Sequence, residues 1–307
     1  LLGPEARKGP RASIPRPSWR AEKRGYYTLR RGRSWGMIRC ATYRDRPSQA
    51  DMLHLDIWRD GVNVARDAGT YLYYAEPPWD NGLVATQVHN TVSVDENDQM
   101  ARGPRFLWLT WLNARVLHFQ ASAEGSLVTF VGEHEGYTRL PQPVIHRRAV
   151  LKAEGDVWVV VDDLLGTGNH AARVQWLLAD LDYRVDREAR KISLETSEGR
   201  YGLTLGAGQA QPGSAAFSVV RGTEASAPRG WQSRYYGVRS PALSVVLSQD
   251  VEVPARFVSV FSPHGPDYQL EVSEQGVRYR APGLDISTAL HAPGAERVLR
   301  SIRVNGS

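Results

Sequence analysis

From Tyr26 onward the chain is a succession of short apolar runs separated by turn signals. The runs predict strands at 35–43, 52–58, 91–94, 106–109, 114–121, 127–131, 148–151, 157–161 and 174–178. The second half continues at 191–195, 201–205, 217–221, 242–247, 256–261, 268–272, 277–280 and 297–304. Several runs alternate, as strands with one buried face do. Arg115, Leu117 and Phe119 fall on one face, and Val116, His118 and Gln120 on the other. Glycines mark turns in Asp60-Gly61, Glu124-Gly125, Glu154-Gly155 and Glu198-Gly199, and 206–214 reads as a loop. No helical periodicity persists beyond one or two turns, and no internal repeat is visible. The pattern predicts an all-β chain forming a large antiparallel β-sandwich over 25–307. Residues 1–24, rich in Pro, Arg and Gly, are expected to be a linker or a strap.

Composition narrows this picture. At 307 residues and 42% hydrophobic the chain can bury a large core and is not disordered. Its 28 Gly and 18 Pro suit a fold with many turns. Nine Trp and thirteen Tyr favour strands and offer flat rings to sugars, although core packing accounts for most of them. The formal charge is +5, and the stretch 1–46 is strongly basic, with only Glu5, Glu22 and Asp45 opposing its cations. That suits an anionic polymer. Nucleic acid is not expected, because no zinc-knuckle spacing, recognition helix or RNA-binding strand motif is present. No apolar run is long enough to span a membrane as a helix. Cys40 is the only cysteine, so no intrachain disulfide forms. The chain starts at Leu1 with a polar, basic stretch lacking a leader pattern, and its native N-terminus is expected to lie upstream.

The most informative stretch is 46–100. It contains Ala50-Asp51 opening an apolar run, Gly61, Asp67-Ala68-Gly69-Thr70-Tyr71, and His89-Asn90-Thr91. Further on come His134-Glu135-Gly136-Tyr137, His146-Arg147-Arg148 and Val160-Val161-Asp162-Asp163. As a set these motifs resemble the heparinase II/III family of polysaccharide lyases over roughly 25–180. The resemblance implies a two-part enzyme, with an N-terminal helical toroid and a C-terminal antiparallel β-sandwich. Their shared cleft cuts acidic polysaccharides by β-elimination. Such chemistry neutralises the uronate carboxylate, removes the adjacent proton with a base and protonates the leaving oxygen with an acid. The toroid is absent from this chain.

The family's sandwich contributes a catalytic His and a metal site through His-Gly-His-Ala-Asp, a later Asp and a later His. Aligning Ala50-Asp51 puts Pro47 at the first His and Gln49 at the second. Pro47 has no acid–base chemistry, and Gln49 is a poor zinc ligand beside an imidazole. The metal candidates are therefore Asp67, His89 and Gln49, holding at most a weakly bound divalent cation, zinc or calcium. The structural alternative is that Asp67 caps the Gly69 turn and hydrogen-bonds His89. His54 is a candidate acid or substitute ligand, expected on the opposite strand face from Asp51 and on the same face as Asp56. His134, between two carboxylates, and Tyr71, after the glycine turn, complete the catalytic candidates. Arg39 and Arg147 are the candidate substrate-binding cations, and Trp79 the candidate stacking ring. Asp95-Glu96-Asn97-Asp98 reads as a hairpin turn, lacking the Gly and distal Glu of a calcium loop.

Three functions compete on these residues. The first is the sandwich domain of a periplasmic or secreted bacterial lyase, inactive without its N-terminal toroid. The second is a non-catalytic module that binds acidic polysaccharide. The third is a structural sandwich from an unrelated carbohydrate-processing protein. The sequence upstream separates the first two, because a toroid bearing Asn, His and Tyr at its cleft signals a lyase.

Overall fold

The computed structural model describes residues 17–104, 106–121, 127–207 and 215–306. Most of the expected 1–24 strap, the Glu124-Gly125 turn and most of the 206–214 loop lie outside these. Within them the sandwich predicted from the sequence forms. One sheet has nine strands, in the order Trp19–Ala21, Tyr26–Arg31, Ser34–Arg39, Leu55–Arg59, Val62–Ala65, Asn169–Leu178, Leu243–Glu252 and Ala216–Arg221, with Val92–Val94 added beside Asn169–Leu178. The other has eight: Tyr183–Asp186, Lys191–Thr196, Gly199–Ala207, Ala255–Pro263, Trp158–Gly166, Val144–Lys152, Val128–Tyr137 and Ala114–Ala121. Every strand pair is antiparallel. Among the described residues the only helices are short 3-10 turns, and no helix is long and apolar enough to cross a membrane.

Alternation explains why two faces of one strand end in different cores. In Trp158–Gly166, Trp158, Val160 and Leu164 point into the main core between the two large sheets, where Trp176, Phe130, Phe257 and Phe261 also lie. Val159 and Val161 point the other way, with Ala149, Leu151, Val258 and Val260. They meet Val277, Tyr279 and Ile286 of a four-stranded sheet, Gln269–Ser273, Gly276–Ala281, Leu284–Leu290 and Leu299–Gly306. The C-terminal strands therefore form a third layer rather than extending the sandwich, and they give the eight-stranded sheet two buried faces.

Two local predictions need correcting. The run 52–58 is a strand only over Leu55–Arg59. Ahead of it the chain turns: Leu53 has φ 60, and the His54 N–H donates to Asp51 O at 3.0 Å. Asp51 and His54 therefore do not share a strand with Asp56, but the expected neighbourhood of His54 and Asp56 remains, with His54 Nε2 4.0 Å from Asp56 Oδ1. In Ala114–Ala121 the inward residues are Val116 and Phe119, not Leu117 with Phe119. The register steps from Val131↔His118 to Gly132↔Val116, leaving Leu117 as the extra residue of a β-bulge that reverses which side chains face the core.

Candidate functional site

The 46–100 stretch folds onto the nine-stranded sheet as three segments that meet. The first is the turn ending at His54. The second is the Asp67–Gly69 turn after strand Val62–Ala65. The third is His89-Asn90-Thr91, which leads into Val92–Val94. Gly69 is required where it stands: its φ is +77, and a Cβ there would lie 1.9 Å from Ser233 O. Its N–H donates to Asp67 Oδ1 at 2.6 Å, so Asp67 closes this turn.

The other carboxylate oxygen gathers the two histidines. Asp67 Oδ2 lies 3.3 Å from His89 Nδ1 and 3.7 Å from His54 Nε2, and the two rings meet edge to face. His54 and His89 are buried, whereas the Asp67 side chain keeps 33% of its exposure, so solvent reaches the cluster through the carboxylate. Burial opposes ionisation of Asp67. His89, His54 and the Gly69 amide outweigh it and hold the carboxyl well below the usual carboxylate range. For His54 burial again opposes charge, and the Asp56 and Asp67 carboxylates win, raising its pKa.

Asn90 fixes the proton arrangement. Its backbone N–H donates to His54 Nδ1 at 3.0 Å, so Nδ1 is an acceptor and the proton of a neutral His54 sits on Nε2, facing the carboxylates. The Asn90 side chain, fully buried, donates to Leu55 O and Arg66 O and accepts from Leu177 N–H. It ties all three segments to the neighbouring strand Asn169–Leu178.

In residue type, two imidazoles and a carboxylate suit zinc, and their atoms lie within 4.8 Å of one another. Their proton placement does not. A zinc ligand must present a lone pair, and His54 Nε2 could do so only by moving its proton to Nδ1, against the Asn90 N–H. Gln49, the third sequence candidate, directs its amide nitrogen to Gly69 O and Thr70 Oγ1, each at 3.4 Å. The His54 tautomer therefore speaks against a three-ligand zinc centre, although His54 Nε2, like the His89 ring, has no hydrogen-bond partner. Both ring nitrogens of His89 lack a hydrogen-bond partner, and they are the best remaining cation donors beside Asp67.

The other sequence candidates lie apart from this cluster. His134 is fully buried, which removes the cleft-lining role expected for it. Gly136 N–H donates to His134 Nδ1, so His134 Nε2–H donates to His146 Nδ1 at 3.2 Å and His146 Nε2–H donates to Asp162 at 2.7 Å. Both histidines are thus fixed as neutral, and burial lowers both pKa values. Arg148 grips the same Asp162 through Nε and Nη2, at 2.6 and 2.9 Å. Its Nη1 donates to Leu53 O at 2.7 Å and Asn90 O at 2.5 Å. A buried polar chain therefore runs from His134 on the eight-stranded sheet to the two turns that carry His54 and His89.

Arg39 pairs with Asp51 at 2.7 Å, and Arg147 with Glu133 at 2.8 Å. Neither is a free cation. Trp79 stands edge-on to Tyr71 and Trp231, and the Arg239 guanidinium covers all three rings, 3.8 Å from Trp79. The Tyr71 and Trp79 rings are thus bound up with Arg239. Sequence reasoning missed Asn90 and Arg148 as organisers. Both stood inside quoted motifs, but nothing local marks a side chain whose partners are distant backbone carbonyls.

A large all-β sandwich with a His–Asp cluster at the ends of the middle strands of one sheet defines the class of fold. Comparison supplies the family. Residues 13–275 match the family described as heparinase II/III-like, C-terminal. The chain belongs to the heparinase II/III-like family, as its C-terminal domain. It is 23% identical over 253 residues to a heparin-sulfate lyase of Bacteroides stercoris, covering 78% of this chain and 34% of that protein. In structure it resembles a heparan sulfate lyase HepC mutant from Pedobacter heparinus, with TM-score 0.68, 16% identity, and coverage of 99% of this chain and 44% of that one. It also resembles a heparinase III gene product, with TM-score 0.66, 19% identity, and coverage of 88% and 42%. At these identities the structural likeness concerns the fold, and the chain spans less than half the length of these relatives.

Proposed function

We propose that this chain is the sandwich portion of a polysaccharide lyase that cleaves an acidic, uronate-containing polysaccharide by β-elimination in the periplasm or outside the cell. We further propose that turnover needs an N-terminal helical toroid. One observation carries the second point. The family-bearing segments converge on Asp67, yet expose no imidazole, since His54 and His89 are buried and positions 47 and 49 are Pro and Gln. An imidazole acid or base able to touch substrate would then come from another part of the protein. Under this reading His54 and His89 set the charge of Asp67 at the surface and do not themselves transfer protons to substrate. The second reading, a non-catalytic module binding the same polymers, is favoured by the same Pro47 and Gln49.

Absorbance of the unsaturated uronate product tests both. The 307-residue chain alone should give no product with heparan, alginate or bacterial exopolysaccharide, and the chain joined to polypeptide encoded ahead of Leu1 should give product with at least one. Product from the chain alone would overturn the requirement for a second part. Binding without product in both forms would establish the module instead. Elemental analysis of protein purified without chelator should find zinc well below one per chain, given the His54 proton placement. One tightly held zinc per chain would refute that placement.

A further inference from the structure

On the strand Asn169–Leu178, Val174, Trp176 and Leu178 face the main core. Arg173, Gln175 and Leu177 therefore face the opposite side of the nine-stranded sheet. Arg173 and Arg229 both reach that face half-buried, and neither forms an ion pair among the described residues. Every hydrogen-bond partner they have is neutral. Arg173 Nη2 donates to Gln175 Oε1 at 3.3 Å, and Arg229 donates to Ser244 Oγ at 3.2 Å and Ser218 Oγ at 3.3 Å. Ser244 Oγ donates in turn to Gln175 Oε1 at 2.8 Å, so one carboxamide links the two guanidinium groups.

That carboxamide has a fixed orientation, because arginine only donates and Gln175 must turn its oxygen towards Arg173. Its nitrogen is then left without a partner, although Gln175 is 1% exposed. The cluster is thus rich in donors and short of acceptors, in a place where an unsatisfied buried donor is costly. Burial lowers the pKa of Arg173 to about 10, with Arg229 adding to the effect and Glu96 opposing it, and burial also lowers that of Arg229. Neither guanidinium has a carboxylate at ion-pair distance among the described residues, and Glu96 acts on Arg173 only from further off.

The surroundings indicate what brings that charge. Arg173 and Ser248 line a cavity of about 400 Å³, together with Gln87, Ser93, Asn97 and Glu96. Asp98 and Asp250 line it too, and neither Gln175 nor Arg229 is among its lining residues, so an anion is favoured only on the Arg173 side, away from the three carboxylates. The rest of the wall offers amides, hydroxyls and carboxylates, the groups that hydrogen-bond sugar hydroxyls. The cluster also adjoins the His–Asp site: Gln175 N–H donates to Thr91 O at 3.1 Å, and Ser93 pairs with Arg173 in the sheet.

We propose that Arg173, Arg229 and the Gln175 amide form a binding subsite for an anionic substituent, sulfate or carboxylate, on the polysaccharide of the proposed function. The subsite rests on that reading for its ligand and supplies what the reading lacked, cations that are not already paired. Guanidinium groups suit both anions, which accept two parallel hydrogen bonds.

Calorimetric titration of the 307-residue chain with a heparan-derived hexasaccharide, and with its desulfated counterpart, tests the proposal. Arg173→Gln and Arg229→Gln should each weaken binding about tenfold, the scale of one lost charge-assisted contact. Arg184→Gln, at a well-exposed arginine, should change it less than about twofold. Arg173→Lys should retain part of the affinity. Thermal midpoints of the two Gln variants should equal or exceed that of wild type, because each removes a half-buried charge without an ion-pair partner. A purely structural arginine would lower the midpoint and leave binding alone. If the desulfated hexasaccharide binds wild type as weakly as the sulfated one binds the variants, sulfate is the group held. If it binds wild type as well as the sulfated one does, carboxylate is. Equal affinity of both Gln variants and wild type overturns the subsite and leaves the lyase reading standing. Loss of binding in the variants of a protein that shows no turnover in any form does the reverse. No affinity of wild type for either hexasaccharide overturns the subsite.

Discussion

Replacing Arg148 with Met removes the guanidinium that joins the two sheets while keeping much of its volume. Wild-type Arg148 is fully buried and makes four hydrogen bonds, two to Asp162 and one each to Leu53 O and Asn90 O. The variant leaves Asp162 as a buried carboxylate with only His146 Nε2–H to neutralise it. Breaking such a buried pair from one side costs about 3–5 kcal/mol, a large part of the roughly 5–15 kcal/mol that holds a domain folded. The two orphaned carbonyls act in the same direction, although these contributions do not add simply. A pH signature separates this cause from loss of packing. In the wild type, burial raises the Asp162 pKa, but Arg148 and His146 bring it down to about 2. Without Arg148 burial prevails and the folded pKa rises above the unfolded value of about 3.9. The folded variant can then escape its penalty by taking up a proton as pH falls. The stability gap between Arg148→Met and wild type should therefore be widest near pH 7 and narrow towards pH 4. Adding Asp162→Asn should recover much of the loss at pH 7, because both charges are then gone. Urea melts at the two pH values measure each quantity. A gap under about 0.5 kcal/mol at pH 7, or one that does not change with pH, would refute the idea that this ion pair anchors the site.

Asp67→Ala removes the acceptor of the Gly69 N–H and the carboxylate facing His54 and His89, and should destabilise by about 1–3 kcal/mol. Asp267→Ala, at an exposed position, should stay within about 0.5 kcal/mol, and equal urea midpoints for the two variants would mean that Asp67 caps nothing. Acid should also weaken the fold before any carboxylate titrates. His134 and His146 stay neutral in the fold with lowered pKa values, whereas in the unfolded chain they take up protons below about pH 6.5. The stability they contribute is complete above that pH and declines below it, so the urea midpoint should fall between pH 7 and 5. The raised pKa of His54 acts the other way and reduces the fall, and a midpoint that rises towards pH 5 would refute the neutral pair.

The legibility of this fold followed the range of the interactions involved. Strand positions were readable because alternation is local: the run 114–121 was predicted with its observed bounds, and most others within a few residues. Facing within that same strand was not, because the bulge at Leu117 depends on pairing with Val128–Tyr137 and leaves no mark in the alternation itself. The third layer was missed for a similar reason. The runs 277–280 and 297–304 read as strands, but nothing in them distinguishes burial against a third sheet from burial inside the sandwich.

The site divides along the same line. The Asp67 turn was legible, since Asp-x-Gly states its own hydrogen bond and Gly69 its own backbone conformation. The meeting of Asp67 with His89 was legible only through family resemblance, and its meeting with His54 depended on a turn at Leu53 that an apolar run conceals. Least legible were the organisers. Asn90 and Arg148 act through carbonyls of Leu55, Arg66, Leu53 and on each other, contacts that exist only once three segments and two sheets have come together. The candidate cations failed for a related reason. Arg39 and Arg147 stood in or near the quoted motifs, but each carries its own carboxylate. Arg173 and Arg229, which stood in no motif, reach the outer face of the nine-stranded sheet hydrogen-bonded to neutral groups alone. In a domain with formal charge +5, the number of arginines says little about where an anion binds. Which guanidinium groups lack an ion-pair partner is a property of pairing across strands rather than of sequence.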